Sequence, residues 1–202
     1  MTSTWFTSDN HFCHYNIIKL CNRPFSSLEE MNETMIERWN ELVKDGDTIY
    51  HLGDFGWTRY QEELSDIVRN RLNGHIILIK GNHDLSLRKM ANMGIPETYR
   101  SFVFENRYML NHYPAHNHTM TVDDVLNRKV GFLLQDIEDK ALRRRMKTMQ
   151  LLIQHNCDRV IHGHIHNSNE NNYPKHFNVG VDVNDFYPFS WEEVKKQLNQ
   201  EG

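Results

Sequence analysis

Histidine, aspartate and asparagine residues gather in five short stretches of this sequence, each directly after an apolar, β-rich run. The stretch "RVIHGHIHN", residues 159–167, spaces His162, His164 and His166 two apart. Residues at i and i+2 of an extended segment point to the same face, so two such histidines can bind one metal ion. Taken alone, the pattern favours a polar strand end with solvated histidines, and the other four stretches must be weighed with it.

The other four stretches also carry side chains that can bind metals. They are "SDNH" after "TWFT", "GD" after "IYHL", "GNHD" after "IILIK" and "NH" after "YML". The carboxyl ends of strands in an α/β sheet form the edge where ligands bind, so the five stretches would deliver oxygen and imidazole ligands to one rim. The candidate ligands are Asp9, His11, Asp54, Asn82, His112, His164 and His166.

One metal ion binds about four to six ligands, so seven candidates are too many for a single ion. Two ions that share a carboxylate would use all seven. Asp54 is the natural shared ligand, because it stands alone on its loop and its two oxygens can contact two cations. A mixed carboxylate and imidazole set suits manganese, iron or zinc. We therefore predict two divalent ions, with manganese preferred. His51, His75 and His162 are predicted not to be ligands.

The elements that must position these residues alternate between strands and helices, which predicts an α/β domain. Residues 101–110 and 177–183 each have the pattern of one strand. Ser27 with Glu30, and Ser190 with Glu193, have the spacing of a capping box at the start of a helix. A further helix is predicted around residues 60–72. Another, longer helix is predicted at residues 133–154.

Neither an internal repeat nor a linker interrupts the sequence, so residues 1–202 are predicted to be a single domain. Residues of about 115–154 are predicted to be a helical insertion, whose role as a cap, a dimer contact or a surface helix stays open. The basic stretch "ALRRRMK" lies in this insertion and is expected to be a solvated helix face.

The composition excludes several classes of protein. The net charge is −4, which argues against extended nucleic acid as a partner. Neither a signal peptide nor an apolar stretch of membrane-spanning length is present, and we expect a cytoplasmic protein without a membrane partner. Cys13, Cys21 and Cys157 are scattered without C-x-x-C spacing, which argues against a disulfide framework and a thiolate zinc site.

In order and spacing, "DNH", "GD", "GNHD", "NHYP" and "GHIH" resemble the motifs of calcineurin-like metallophosphoesterases, most closely the compact stand-alone type found in bacteria and phages. The resemblance covers roughly residues 4–183. It implies a β-sandwich flanked by helices, with two metal ions in the site. The resemblance places Asp9, His11, Asp54 and His166 on the first ion, and Asp54, Asn82, His112 and His164 on the second.

The resemblance also implies the chemistry. A hydroxide bridging the two ions would attack a small phosphodiester or a nucleotide-type phosphate, and His83 would protonate the leaving group. Related protein phosphatases carry G-D-x-V-D-R-G, whereas this sequence reads "GDFGWTR" at residues 53–59, which argues against a protein substrate. His14 and Arg23 are predicted to contact the substrate phosphate, although Arg23 is equally consistent with stabilising the turn before Pro24.

Two alternatives remain open on the sequence. The first is a nuclease that uses the same site, which a steep salt dependence of nucleic-acid binding would favour. The second is a non-catalytic scaffold that keeps the metal-binding fold. Every ligand position holds a suitable residue and the expected proton donor, His83, is present, which favours an enzyme over the scaffold.

Overall fold

The computed structural model of the protein describes residues 2–115, 138–167 and 175–200. The strands of these residues are Thr4–Thr7 (β1), Thr48–His51 (β2), His75–Ile79 (β3), Thr98–Tyr99 (β4), Phe102–Phe104 (β5), Tyr108–Leu110 (β6), Arg159–His162 (β7), His176–Asn178 (β8) and Phe189–Ser190 (β9). The α-helices are Tyr15–Leu20 (α1), Leu28–Leu42 (α2), Gln61–Asp66 (α3), Leu87–Met93 (α4), Lys140–Gln154 (α5) and Trp191–Gln200 (α6). A π-helical turn at Ile67–Arg71 continues α3.

The strands form two sheets, with the orders β4-β3-β2-β1-β9 and β5-β6-β7-β8. Strands β1 to β4 are parallel, and β9 is antiparallel to β1. In the second sheet β6, β7 and β8 are parallel, and β5 is antiparallel to β6. The two sheets face each other across one apolar cluster, to which Phe6 and Ile79 contribute from the first sheet and Leu110 and Ile161 from the second.

Helices cover the outer faces of both sheets. Helix α2 packs Met35 and Trp39 against Ile49 and neighbouring residues of the first sheet. Helix α5 packs Leu152 against Met109 of the second sheet and its neighbours. The predicted α/β fold, a β-sandwich flanked by helices, is thereby confirmed. None of the helices within the described ranges is long and apolar enough to cross a bilayer.

The predicted capping box of α6 forms in full, and that of α2 in part, because the carboxylate of Glu30 accepts the N–H of Ser26 instead of that of Ser27. At the start of α2, the Oγ atom of Ser27 accepts the N–H of Glu30 at 3.0 Å. At the start of α6, the Oγ atom of Ser190 accepts the N–H of Glu193, whose carboxylate in turn accepts the N–H of Ser190 at 2.7 Å. Each box satisfies backbone donors that have no partner inside the helix.

Three elements begin or end at residues other than those predicted from the sequence. Residues 101–110 form the hairpin β5-β6 instead of one strand, because Glu105 and Asn106 adopt positive φ angles of 48° and 54° and reverse the chain. Residues 177–183 divide into the end of β8 and a 3-10 helix at Val181–Val183. Helix α5 begins only after Asp139, whose carboxylate caps its first turn. The rest of the predicted insertion, residues 116–137, lies outside the described residues.

The candidate ligands follow the carboxyl ends of parallel strands. Asp9, Asp54 and Asn82 come two or three residues after the ends of β1, β2 and β3. His112 and His164 each come two residues after the ends of β6 and β7. Because each group of strands is parallel, its loops open at the same edge of its sheet.

Candidate metal centre

Backbone conformation turns the candidate ligands toward one another. Asp9, His11, Asp54, His164 and His166 all adopt positive φ angles, between 48° and 73°. Residues with a side chain rarely occupy this left-handed region, and where they do, the strain is commonly stored at a functional site. Five of the seven candidate ligands therefore share a backbone conformation that is uncommon for residues other than glycine.

Two glycines allow the backbone to approach the carboxylates. A Cβ atom on Gly163 would lie 2.2 Å from Oδ2 of Asp9, and a Cβ atom on Gly81 would lie 2.2 Å from Oδ1 of Asp54. Both distances are far below van der Waals contact. Only glycine fits at these two positions, which explains the glycines in "GHIH" and "GNHD" by close packing against the site.

The first ligand group consists of Asp9, His11 and His166, whose ligand atoms all lie within 4.8 Å of one another. Oδ1 of Asp9 and Nε2 of His11 are buried and have no hydrogen-bond partner among the described residues. Buried polar atoms without a partner are rare and costly. Burial also raises the pKa of Asp9, against the opposing fields of His112 and His166. A bound divalent cation would satisfy both atoms and favour the ionised carboxylate, so the residues present fit a metal ion.

The second ligand group consists of Asp54, His112 and His164, again with ligand atoms within 4.8 Å of one another. Nδ1 of His112 lies 2.8 Å from the carbonyl oxygen of Leu52, which can only accept, so this nitrogen carries the proton and Nε2 faces the group. Nε2 of His112 lies 3.2 Å from Oδ1 of Asn82. The amide oxygen of Asn82 is thereby placed beside the second group.

The carboxylate of Asp54 lies between the two groups. Its Oδ2 atom is 3.8 Å from Nε2 of His11 and 3.3 Å from Nε2 of His112. Its other oxygen, Oδ1, accepts the backbone N–H of His83 at 2.8 Å. The same oxygen, Oδ2, thus faces one histidine of each group. This position suits a ligand that two cations share.

The charged groups of the site shift one another's pKa values. Burial alone would raise the pKa of Asp54, but the field of His112 and the hydrogen bond with it outweigh burial and hold that pKa below its usual range. Burial would lower the pKa of His112, but the charge of Asp54 raises it to about 9. For His164 burial dominates and lowers the pKa to about 3. His164 is therefore neutral, the form in which imidazole binds a metal.

Asp182 is a site residue that the sequence analysis misses. Its Oδ2 atom lies 2.7 Å from Nδ1 of His166. Burial would lower the pKa of His166, but its hydrogen bond with Asp182 is the largest of several contacts that together raise the pKa to about 10. Cys21, His166 and Asp182 also form a third close set of ligand atoms. The one available signal was an aspartate inside the apolar run "GVDV".

Arg23 is buried, and its guanidinium contacts protein groups. Its side chain is 0% exposed. The guanidinium donates to both carboxylate oxygens of Asp182, to the carbonyl oxygen of Asp9 at 2.7 Å and to that of Asn10 at 2.8 Å. The predicted contact of Arg23 with a substrate phosphate does not fit this geometry, because its donors are committed to the loop that carries Asp9.

Asp84 is a turn residue. Its carboxylate accepts the backbone N–H groups of Asp54 and Gly81, both at 2.8 Å, and that of Phe55 at 2.9 Å. These three bonds tie the loop after β2 to the loop after β3. Asp84 thereby fixes the backbone on which Asp54 is presented.

His83 and His14 lie next to the first group. His83 is exposed, and its ring centre is 5.3 Å from that of His11. The ring of His14 stacks on Trp57 with centres 4.2 Å apart, and its Nδ1 lies 3.5 Å from Nδ1 of His11. His83 is thus the more accessible of the two to a substrate.

The histidines predicted not to be ligands have other partners. Nε2 of His51 lies 2.9 Å from Oδ1 of Asn10. Nε2 of His162 lies 2.9 Å from Nδ1 of His176. His75, exposed at the start of β3, lies 2.6 Å from the carboxylate of Glu97. None of the three belongs to either ligand group of the described residues.

Comparison with known proteins agrees with this architecture. The model of the calcineurin-like phosphoesterase superfamily domain matches residues 6–181. An uncharacterized protein of Methanocaldococcus jannaschii is 31% identical over 207 residues, which cover 99% of this chain and 93% of that protein. The gene 66 protein of Mycobacterium phage L5 is 36% identical over 86 residues, which cover 42% of this chain and 41% of that protein.

A solved structure is also similar. The crystal structure of a protein of unknown function from Aquifex aeolicus superposes with a TM-score of 0.72 at 28% identity, over 98% of this chain and 100% of that chain. The family match spans most of the sequence and includes all seven candidate ligands. The chain belongs to the calcineurin-like phosphoesterase superfamily, which supports metal-dependent hydrolysis of phosphoesters as its general activity.

Proposed function

We propose that this protein is a binuclear metal-dependent phosphodiesterase that hydrolyses a small phosphodiester or a nucleotide-type phosphate. The observation that carries the proposal is the position of Asp54, whose Oδ2 atom faces His11 of the first group and His112 of the second. A site for one ion would need only one of these groups. Two divalent ions, with manganese preferred over iron or zinc, suit the carboxylate, amide and imidazole ligands.

The ligand assignment of the proposal follows the two groups. Asp9, His11, Asp54 and His166 would hold the first ion, and Asp54, Asn82, His112 and His164 the second. Bound there, two divalent ions supply an activated water at neutral pH and offset charge on the phosphoryl oxygens. The hydrogen bonds that His112 donates to the carbonyl oxygen of Leu52, and that His166 donates to Asp182, orient the ligand nitrogens in advance.

His83 is the proposed general acid. The backbone N–H of His83 donates to Oδ1 of Asp54, which ties this residue to the shared ligand, while its side chain is exposed. An imidazole at that position can give its proton to a leaving alkoxide, an effect typically worth about 10²- to 10⁴-fold in rate. His14, beside His11, remains a proposed contact for the substrate phosphate.

The proposed substrate is small and the proposed compartment is the cytoplasm. The net charge of −4 weighs against extended nucleic acid, and "GDFGWTR" weighs against a protein phosphatase. Cys13, Cys21 and Cys157 are all free thiols. Free thiols suit a reducing compartment.

The decisive experiment compares hydrolysis of bis(p-nitrophenyl) phosphate and p-nitrophenyl phosphate with manganese or with chelator. We expect manganese-dependent turnover that favours the diester. Asn82→Ala removes a ligand of the second ion and His83→Ala removes the proton donor, so each should lower kcat on the diester by about 10²-fold or more.

Matched controls separate these roles from nonspecific effects of substitution. Asn92→Ala removes an exposed asparagine from α4, and His75→Ala removes an exposed histidine outside the ligand groups. Both controls should keep the parent's turnover. Preference for the monoester would instead make the protein a phosphatase. Metal-loaded, folded protein that hydrolyses neither ester would contradict the proposal and favour the scaffold.

A further inference from the structure

A cavity of about 500 Å³ adjoins the second ligand group. Asn82, a candidate ligand of that group, forms part of its wall. Tyr113, which follows the candidate ligand His112, forms another part, and its hydroxyl lies 3.4 Å from Oδ1 of Asn82. The cavity therefore borders the metal centre through Asn82, and its lining includes none of Asp54, His112 and His164.

The wall of this cavity is strongly cationic. Lys80, Arg100, Arg144 and Lys147 all line it, and its described lining contains neither aspartate nor glutamate. Within the described ranges, none of these four cations forms an ion pair with a carboxylate. Four cations that lack a carboxylate partner among the described residues stand out around one cavity in a chain whose net charge is −4. Such a cavity concentrates anions.

The four cations come from three separate parts of the chain. Lys80 directly follows β3, and Arg100 directly follows β4. Arg144 and Lys147 lie on α5 at i and i+3, so they share one helix face. The guanidinium of Arg144 lies 5.0 Å from the ring centre of Tyr113, which fixes its position over the cavity wall. The basic helix face, expected to be merely solvated, is also a wall of this cavity.

We propose that this cavity is an anion subsite that binds a second, non-reacting phosphate group of the substrate. The inference rests on the proposed function, because the reacting phosphate is taken to lie at the metal centre. Asn82 borders both places, so one small molecule can present one phosphate to the metals and another to the cations. The substrate class is then a phosphoester with two phosphate groups, such as a nucleotide phosphorylated on both sides of its sugar.

A small substrate fits this cavity better than extended nucleic acid does. Cavities of about 300–1,000 Å³ are typical of small-molecule sites. Binding along a nucleic-acid backbone needs a basic groove that continues over several nucleotides. The cations described here surround one compact volume instead.

The first test measures anion binding without metal. Inorganic pyrophosphate is titrated into the chelator-treated protein at low ionic strength by calorimetry. The parent should bind it, and Lys147→Met and Arg100→Met, which remove exposed cations from two separate elements of the wall, should each weaken binding by about three- to tenfold. Lys196→Met removes an exposed lysine of α6 outside the cavity and should bind like the parent. Absent binding, or equal losses in all three variants, would overturn the subsite.

The second test measures selectivity in the manganese-loaded enzyme. The substrates are the p-nitrophenyl ester of thymidine 5′-phosphate and the same ester carrying a 3′-phosphate. We expect the 3′-phosphate to raise kcat/KM about tenfold, mainly through KM, and Lys147→Met to remove most of this gain while Lys196→Met keeps it.

The outcomes of the two tests distinguish failure of the subsite from failure of the proposed function. Turnover of both esters without any gain from the 3′-phosphate would uphold the phosphodiesterase and overturn the subsite. Pyrophosphate binding that depends on Lys147, without turnover of either ester, would uphold the anion subsite and contradict the proposed function. Binding that tightens steadily with oligonucleotide length would overturn the small-substrate assignment in favour of a nuclease.

Discussion

Nδ1 of His166 lies 2.7 Å from Oδ2 of Asp182, and the same carboxylate is bound by Arg23. A carboxylate can only accept hydrogen bonds, so Nδ1 of His166 keeps its proton and a metal would displace the proton of Nε2. Asp182 therefore positions a candidate ligand without being assigned to either ion. The pairing joins the loop after β7 to the 3-10 helix that follows β8.

Asp182→Asn tests this positioning role. The amide keeps the size of the side chain but accepts more weakly, and we expect manganese affinity to fall by about 10- to 100-fold. The measurement is a manganese titration, with circular dichroism to verify folding. Asp185→Asn is the matched control, because Asp185 is 75% exposed and its carboxylate pairs with Arg38 at the surface. An unchanged manganese affinity in folded Asp182→Asn protein would remove Asp182 from the site.

Arg23→Met tests whether this arginine is structural. The substitution leaves Asp182 buried without its cation and removes donors to the carbonyl oxygens of Asp9 and Asn10. Breaking a buried pair from one side costs about 3–5 kcal/mol of the free energy of unfolding, which urea denaturation of the metal-free protein measures. Arg38→Met, which breaks an exposed pair, should cost about 1 kcal/mol or less.

A substrate role for Arg23 would give a different result. In that case the free energy of unfolding of Arg23→Met would stay close to that of the parent, and KM for the phosphoester would rise. The two readings of this residue are thus separated by measuring stability and kinetics on the same variant.

The sequence predicts the fold class because apolar strands alternate with helices and the candidate ligands follow the strands. It also predicts which loops meet, since Asp9, Asp54 and His112 stand just beyond the ends of parallel strands. Spacing alone cannot supply the left-handed backbone of residues such as His164, which depends on contacts between loops. The hairpin at Glu105 could have been predicted, because Glu105, Asn106 and Arg107 interrupt the apolar run where the chain turns.

Long-range partners are the other part that the sequence does not predict. Arg23 and Asp182 are separated by 159 positions, so their ion pair follows only from the packed fold. Arg144 and Lys147 look like any solvated basic helix until α5 is placed beside the loops that carry Asn82 and Tyr113. The chemistry of the ligands is thus local in sequence, whereas their orientation and the neighbouring charges depend on tertiary structure.

Gly163→Ala tests the close approach between backbone and carboxylate. The added methyl group would lie 2.2 Å from Oδ2 of Asp9, so either Asp9 or the loop after β7 must move. We expect manganese affinity to fall by about tenfold or more, because a displaced ligand loses its geometry. Gly46→Ala is the control, since its methyl group would meet only Cγ2 of Thr2, at 3.9 Å. Equal affinities for the two variants would show that the loop tolerates the extra volume.

Asp47 should make stability depend on pH. Its carboxylate accepts the N–H of Ser3 at 2.7 Å, the indole N–H of Trp5 at 3.0 Å and the N–H of Lys44 at 3.0 Å. Chiefly through the bond from Ser3, these contacts lower the pKa of Asp47 below the ordinary value of 3.8. The stabilisation is therefore complete above pH 3.8 and is lost as the pH falls through the depressed folded value.

Asp47→Asn isolates this contribution. Urea denaturation should show a loss of about 1–2 kcal/mol at neutral pH, because an amide accepts these bonds more weakly than a carboxylate does. The difference from the parent should shrink toward zero as the pH falls from 3.8 through the depressed pKa of folded Asp47, where the parent's own carboxylate becomes protonated. Asp45→Asn, at an exposed neighbouring position, should change stability at neutral pH by less than about 0.5 kcal/mol. A difference for Asp47→Asn that persists unchanged into acid would mean that its charge does not stabilise the fold.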